Sequence, residues 1–243
     1  GKKLYNNLKA SMEAQKIKMG RDKFYTFLRS NSLLVPKIRS FHITTDSKHH
    51  FFKYKNLVQG KIPTRPEQLW VSDITYIKTE FGHNYLALVT DAYSKQIMGY
   101  KIDNHMRTTL CSDALTMAIR NRKYSNLPLI HHSDRGIQYC NPEYTKYAEN
   151  NGITISMTEK YDPYENAVAE RVNRTLKYEF GLKEVLKDSY LAKKMVTQGI
   201  ERYNVLRPHL SLNMLTPYQA HQKSNLKYKS YKKDKTERKI LVI

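Results

Sequence analysis

Cysteine is scarce in this chain: Cys111 and Cys140 are its 2 cysteines in 243 residues. That is too few for a disulfide framework or a thiolate zinc site, so both read as buried free thiols in a reducing compartment. No apolar run approaches the roughly 18 residues that a membrane-crossing helix needs, and no secretory leader opens the chain. The expectation is an intracellular protein without a membrane partner. The sequence starts GKKLYNNLKA, without Met, as a fragment or processed chain would. His42, His49 and His50 have no cysteine or carboxylate pattern beside them, which argues for solvated or phosphate-facing rings rather than metal ligands. Acid is the other shortage: 22 Asp+Glu face 42 Lys+Arg, a formal net charge of +20. That imbalance favours a polyanionic partner, and the nucleic-acid backbone is the commonest polyanion.

Residues 1–35 hold two apolar-periodic stretches, KLYNNLKASMEAQKIKM and GRDKFYTFLRSNSLLV. They predict two short helices, either a helix-turn-helix or a plain hairpin. In a helix-turn-helix, Arg21, Lys23 and Arg29 of the second helix lie nearest a DNA groove. Residues 36–68 are basic, broken by proline and without sustained period, and read as a linker. The pattern then changes. LWVSDITYIKT, HNYLALVTDAY and KQIMGYKI read as an antiparallel meander of three strands. RTTLCSDALTMAIRNRK reads as a helix, LPLIHHS as a strand, PEYTKYAENNG as a helix and ITISM as a strand, with a long helix from about Pro163. This β-β-β-α-β-α-β-α order predicts an α/β fold, a mixed sheet with helices on both faces. In the last part, residues 183–243, a helix stops before Arg207-Pro208-His209. There His209 reads as a packing residue. The tail KYKSYKKDKTERK is a charge run, solvated or laid on a nucleic-acid backbone.

Three carboxylates stand out. Asp73 lies inside the first strand, on the face of Val71, Thr75 and Ile77, where a lone acid is costly unless paired or holding a metal. Asp134 closes the fourth strand before an Arg-Gly turn. With about 100° per residue and Asn166 as zero, Glu170 falls near 40°, Asn173 near 340°, Arg174 near 80° and Lys177 near 20°. Val168, Val172, Leu176 and Phe180 fall between about 200° and 320°, so the helix is amphipathic with one acid on its polar face. Glu165 falls on the apolar side and Glu159 in the preceding loop. A small acidic cluster in a basic chain suits a pair of divalent cations acting on a phosphodiester.

The stretches WVSDITYI, LVTDAYSKQIMGY, HHSDRGIQYCNPEY and DPYENAVAERVNRTLKYE, in this order, resemble the catalytic core of the retroviral-integrase superfamily. More narrowly, they resemble the second-frame portion of transposases from bacterial insertion sequences of the IS-three group. Residues 135–169 separate Asp134 from Glu170, the spacing typical of this Asp-Asp-Glu family, and ERYNVLRPHLSLNMLTPYQAH continues the match. Glu165 stands where many relatives have Asp, at a helix-entry position. The resemblance implies an RNase H-like core with a five-stranded mixed sheet over residues 69–182. Before it come a helix-turn-helix-like DNA-binding region at 1–35 and the linker at 36–68. A helical and basic extension at 183–243 follows.

It also implies a DNA transposase that cleaves element ends and transfers strands, with Asp73, Asp134 and Glu170 catalytic and metal-binding. Two Mg²⁺ ions, with Mn²⁺ as substitute, would serve as cofactors. Double-stranded DNA of element ends and target would be the substrate and partner, contacted by Asn166, Asn173, Arg174 and Lys177 besides the second helix. A homodimer or larger assembly in the bacterial cytoplasm, on the nucleoid, completes the expectation. Asp91 reads as a turn residue closing a hairpin. The alternatives are an RNase H-like nuclease or resolvase and a catalytically inactive DNA-binding protein.

Overall fold

The computed structural model describes residues 2–34, 49–159, 166–226 and 241–242. Strand β2 (Leu69–Thr79) spans the run LWVSDITYIKT, and β3 (Gly82–Asp91) and β4 (Ile97–Asp103) return beside it as antiparallel neighbours. Helix α3 (Thr108–Arg120) then crosses over to β5 (Leu129–Ser133), and the short α4 (Ile137–Cys140) and α5 (Pro142–Asn150) cross to β6 (Ile153–Met157). Both crossovers are helical because parallel neighbours cannot be joined by a tight turn. The resulting order is β4-β3-β2-β5-β6, antiparallel on one side of β2 and parallel on the other. The mixed five-stranded α/β sheet expected from the sequence is therefore the observed one.

Both sheet faces are covered, which is why β3 carries the unbroken run Leu86, Ala87, Leu88 and Val89 rather than an alternating one. Ala87 and Val89 join Trp70, Met98 and Leu115 of α3 in one core. Leu86 and Leu88 point to the other face and meet Val172 and Leu176 of α6 (Ala167–Glu179) and Val196 and Ile200 of α7 (Ser189–Val205). At β4 the backbone itself meets α3: a Cβ on Gly99 would collide with the Ala114 carbonyl and the Ala118 amide. Helix α6 begins at Ala167, and residues 160–165, including Glu165 and the expected start at Pro163, lie outside the described residues.

Helices α1 (Lys2–Ala14) and α2 (Arg21–Ser30) form the expected N-terminal pair, with Tyr5 against Phe24 at 5.4 Å between ring centroids. Lys16, with a left-handed φ of 56°, ends the first helix. Residues 49–68, read from the sequence as linker, pack on the sheet domain. Phe51 and Tyr54 lie against the core that holds Trp70, and Leu57 lies against the cluster holding Val71. This segment runs beside the outer edge of β6, where Met157 N–H donates to the Lys55 carbonyl at 3.3 Å. Lys61–Ile62 (β1) pairs in parallel with Leu241–Val242 (β7).

Helix α7 ends before Arg207-Pro208, as the proline dictates, and Asp188 caps its start by accepting from Leu191 N–H at 2.7 Å. A capping box of Thr216 and Gln219 starts α8 (Pro217–His221), too short for any period to reveal. It carries His221 into the interior. The ring is buried against Glu67, at 3.1 Å from Nε2, and against Ser94 Oγ, at 3.0 Å from Nδ1. Ser94 Oγ in turn donates to Asp91 at 2.6 Å, so Asp91 does close the β3–β4 hairpin, and also holds the Glu67 N–H at 3.0 Å. Burial opposes charge on His221, but the bonds towards Asp91 and Glu67 outweigh it and raise its pKa to about 9.

Candidate active site

The strand register brings the first two carboxylates together. Parallel pairing of β2 and β5 runs from Leu69↔Ile130 to Val71↔His132 and then stops. Two residues beyond the last pair, on the same face of each chain, come Asp73 and Asp134, near enough for the charge of Asp134 to act on Asp73. Asp73 Oδ1 accepts from Ile74 N–H at 2.9 Å. Asp134 turns the chain by accepting from Gly136 N–H through Oδ1 at 3.0 Å. Beneath this edge, Ser72 faces the opposite side, where its hydroxyl lies 2.7 Å from His131 Nε2. Burial lowers the His131 pKa to about 3, so this ring is neutral.

Helix α6 supplies the third carboxylate. Glu170 lies in its first turn and is exposed, with partial burial of the carboxyl pushing its pKa up. Two amides flank it and fasten the helix to β2: Asn166 Nδ2 donates to the Ser72 carbonyl at 2.9 Å, and Asn173 Nδ2 donates to Asp73 Oδ2 at 2.8 Å. Both asparagines are buried, contrary to a place on the outer polar face. The helical wheel put them at the edge of the apolar arc, and the side of the helix that leans on β2 takes in that edge. Their Oδ1 atoms are buried without a partner among the described residues. Lys177, half-buried, puts its Nζ 4.2 Å from the centre of the Tyr76 ring on β2. Burial lowers the Lys177 pKa while the charge of Asp73 raises it. Arg174 is exposed, with its guanidinium 5.7 Å from the Tyr178 ring.

The electrostatics link the three acids. Burial, then the charge of Asp134 and more weakly that of Glu170, push Asp73 up to about 7, against the bond from Asn173 that favours its charged form. A half-buried carboxylate facing two others is repelled by them, and a divalent cation removes that repulsion. Among the described residues no group of three His, Cys, Asp or Glu is drawn together as a ready metal site. By donor type and by charge, the three oxygen-bearing side chains fit a hard divalent cation.

Elsewhere, Arg21, Lys23 and Arg29 are exposed on α2, and Arg21 Nε lies 3.2 Å from Asp22. His209 is buried and its Nε2 lies 2.9 Å from Arg207 Nη1, in keeping with a packing role. Arg207 in turn grips Glu179 at the end of α6 with two bonds, of 2.6 and 2.7 Å. His49 meets the Arg135 carbonyl, His50 is exposed, and His42 lies outside the described residues. No local pattern signals the Asn173–Asp73 bond, whose partners are 100 residues apart.

Two integrase core domain models match the chain, at residues 63–163 and 151–217. The 31 kDa protein of insertion element IS600 of Shigella sonnei is 35% identical over 212 residues, covering 86% of this chain and 78% of that protein. Transposase InsF of insertion sequence IS3A of Escherichia coli (strain K12) is 32% identical over 199 residues, covering 81% of this chain and 69% of that one. Two viral structures share the fold at 18% identity. The simian T-cell lymphotropic virus intasome in complex with PP2A regulatory subunit B56 gamma has a TM-score of 0.57, covering 80% of this chain and 67% of that one. The HTLV-2 integrase catalytic core domain in complex with magnesium, in its trimeric form, has a TM-score of 0.53, covering 66% of this chain and 99% of that one. The chain belongs to the integrase-core family of insertion-sequence transposases, in the IS3 group of the retroviral integrase superfamily.

Proposed function

We propose that this chain is the DNA transposase of an insertion sequence, with Asp73, Asp134 and Glu170 as the ligands of its divalent cations. One observation carries the site assignment: Asp73 and Asp134 follow the paired stretch of β2 and β5 on the same face, and Asn173 of α6, the helix that carries Glu170, bonds to Asp73. Asp73, Asp134 and Glu170 would hold two Mg²⁺ ions, with Mn²⁺ as substitute, which would supply Lewis-acid stabilisation of the attacking and leaving oxygens at phosphorus.

The chain's own residues do the rest. Asn173 orients the Asp73 carboxylate, and Asn166 ties the start of α6, the helix that carries Glu170, to β2. Lys177, held over Tyr76, offsets the repulsion between these acids and a DNA phosphate. Arg174 on α6 and Arg21, Lys23 and Arg29 on α2 bind the backbone, and a net charge of +20 supports broad phosphate contact. In the first step water attacks a phosphodiester at the element's end and releases a 3′-hydroxyl. In the second, that hydroxyl attacks another phosphodiester, of the opposite end or of target DNA, forming a new P–O bond as the P–O bond to the displaced 3′ oxygen breaks.

The division into a DNA-recognition pair at 1–35, a connecting segment at 36–68, a catalytic core at 69–182 and a C-terminal extension at 183–243 belongs to the same proposal. So do a homodimeric or larger assembly on paired DNA ends and a place on the bacterial nucleoid. No helix among the described residues is long and apolar enough to cross a membrane.

Incubation with Mg²⁺ and labelled element-end duplexes tests the reading. Joined strands are expected. Nicking without joining would indicate a nuclease of the same fold, and binding without either would indicate a DNA-binding protein.

A further inference from the structure

We infer that His49 is a positioning residue of this active site, holding the loop that carries Asp134 from a segment upstream of the matched core. The inference rests on the proposed role of Asp134. The core models begin at residue 63. Yet His49 Nε2 lies 2.9 Å from the carbonyl of Arg135, the residue next to Asp134. A carbonyl only accepts, so Nε2 carries the proton and donates.

The segment that delivers His49 is itself fixed. Phe51 packs into the main core and meets the His49 ring at 5.7 Å between centroids. Further on, Asn56 N–H donates to Glu159 Oε1 at 2.9 Å and Leu57 N–H donates to Ser156 Oγ at 2.9 Å. Arg135 closes the circuit by donating from Nη1 to the Glu159 carbonyl at 3.4 Å. The loop after β5, the end of β6 and the segment 49–57 are thus laced into one ring. His49 is the member that touches the loop backbone beside Asp134.

The loop's own bonds are short-range. Gly136 N–H donates to Asp134 Oδ1, and Ser133 Oγ donates to the Asp134 carbonyl, both at 3.0 Å. Such bonds set the local turn, whereas the direction of the whole loop relative to β2 needs a contact from outside it. His49 supplies one. Misplacing a reacting group by about 1 Å can cost around a hundredfold in rate.

The test uses the full chain with His49→Ala and His49→Gln, because a glutamine amide N–H can stand where Nε2–H does. Four readouts are taken: joining rate at saturating end duplex, duplex affinity without metal, melting temperature, and hydrogen exchange at the Gly136 amide. His49→Ala should lower the joining rate about tenfold with affinity within about twofold, and speed Gly136 exchange about tenfold. His49→Gln should recover most of both. A parental joining rate in His49→Ala would overturn the inference, as would a loss that Gln does not recover and that follows the melting temperature. If the parent joins no ends, the functional reading falls. Gly136 exchange then still decides whether His49 holds the loop, with unchanged exchange rejecting it.

Discussion

Two sets of acids on the same sheet behave in opposite ways. At one, Glu67 and Asp91 are fully buried and answered by His221, with Arg122 Nε 3.6 Å from Glu67. Glu67 also accepts from the Lys123 and Tyr124 amides at 2.8 and 2.9 Å, and despite burial its pKa is lowered by His221 and these amides. At the other, burial and then the like charges of Asp134 and, more weakly, Glu170 raise the pKa of Asp73. A bonded set of opposite charges locks α8 and the entry to β2 in place. The like charges around Asp73 oppose one another instead, as the proposed cation site would require.

The sharpest way to break this contrast is Asp134→Asn. Cleavage and joining should both fall by ~10³-fold or more, with the fold intact by melting temperature and circular dichroism. Near-parental joining would remove Asp134 from the site. Next comes His221→Gln, which leaves Glu67 and Asp91 buried without their cation. A stability loss of about 3–5 kcal/mol by urea unfolding is expected. The parent should also lose stability as pH rises. The folded pKa of about 9 lies above the ordinary 6.5, so the contribution of His221 is complete below 6.5 and gone above about 9. The variant should lack that fall, and a fall of equal size in both would place its origin elsewhere.

Asp73→Asn sharpens the other side. With a folded pKa near 7 against 3.8, Asp73 lowers the stability of the metal-free chain progressively across that window and fully above about pH 7. The variant should therefore be more stable than the parent at pH 8, by ~1–2 kcal/mol once partial exposure is allowed for, while losing activity. Equal or lower stability would mean that the carboxylate is not strained. The smallest effect is that of Lys177→Ala. Losing one phosphate contact should reduce the salt slope of end-duplex binding by about 0.9, and an unchanged slope would take this lysine off the DNA.

Local order was legible in the sequence where it rests on local pattern. β2 spans the residues that LWVSDITYIKT suggested, because β-branched and aromatic residues fill it and Glu80-Phe81-Gly82 ends it. Asp91 was legible as a turn residue for the same reason, and Pro208 as the stop of α7. The distant pairings were not. Glu67 sat in a stretch without period and looked like linker, yet it meets His221 across 154 residues. Asn166 and Asn173 looked like surface amides, because a helical wheel shows an apolar arc but not how far the neighbouring strand reaches round it. Asp73, Asp134 and Glu170 were legible only as three acids with a family's spacing; the register that aligns the first two is a property of the folded sheet.

Whether Asp73, Asp134 and Glu170 together bind a divalent cation is decided by the rise in melting temperature that Mn²⁺ causes at pH 8, without DNA, in the parent and in Asp73→Asn, Asp134→Asn and Glu170→Gln. A rise of several degrees is expected in the parent, as binding to the folded state alone produces, and little or none in each variant, although Asp73→Asn starts from a higher melting point. An undiminished rise in any of the three would contradict the assignment of that residue, and an undiminished rise in all three would place the cation elsewhere.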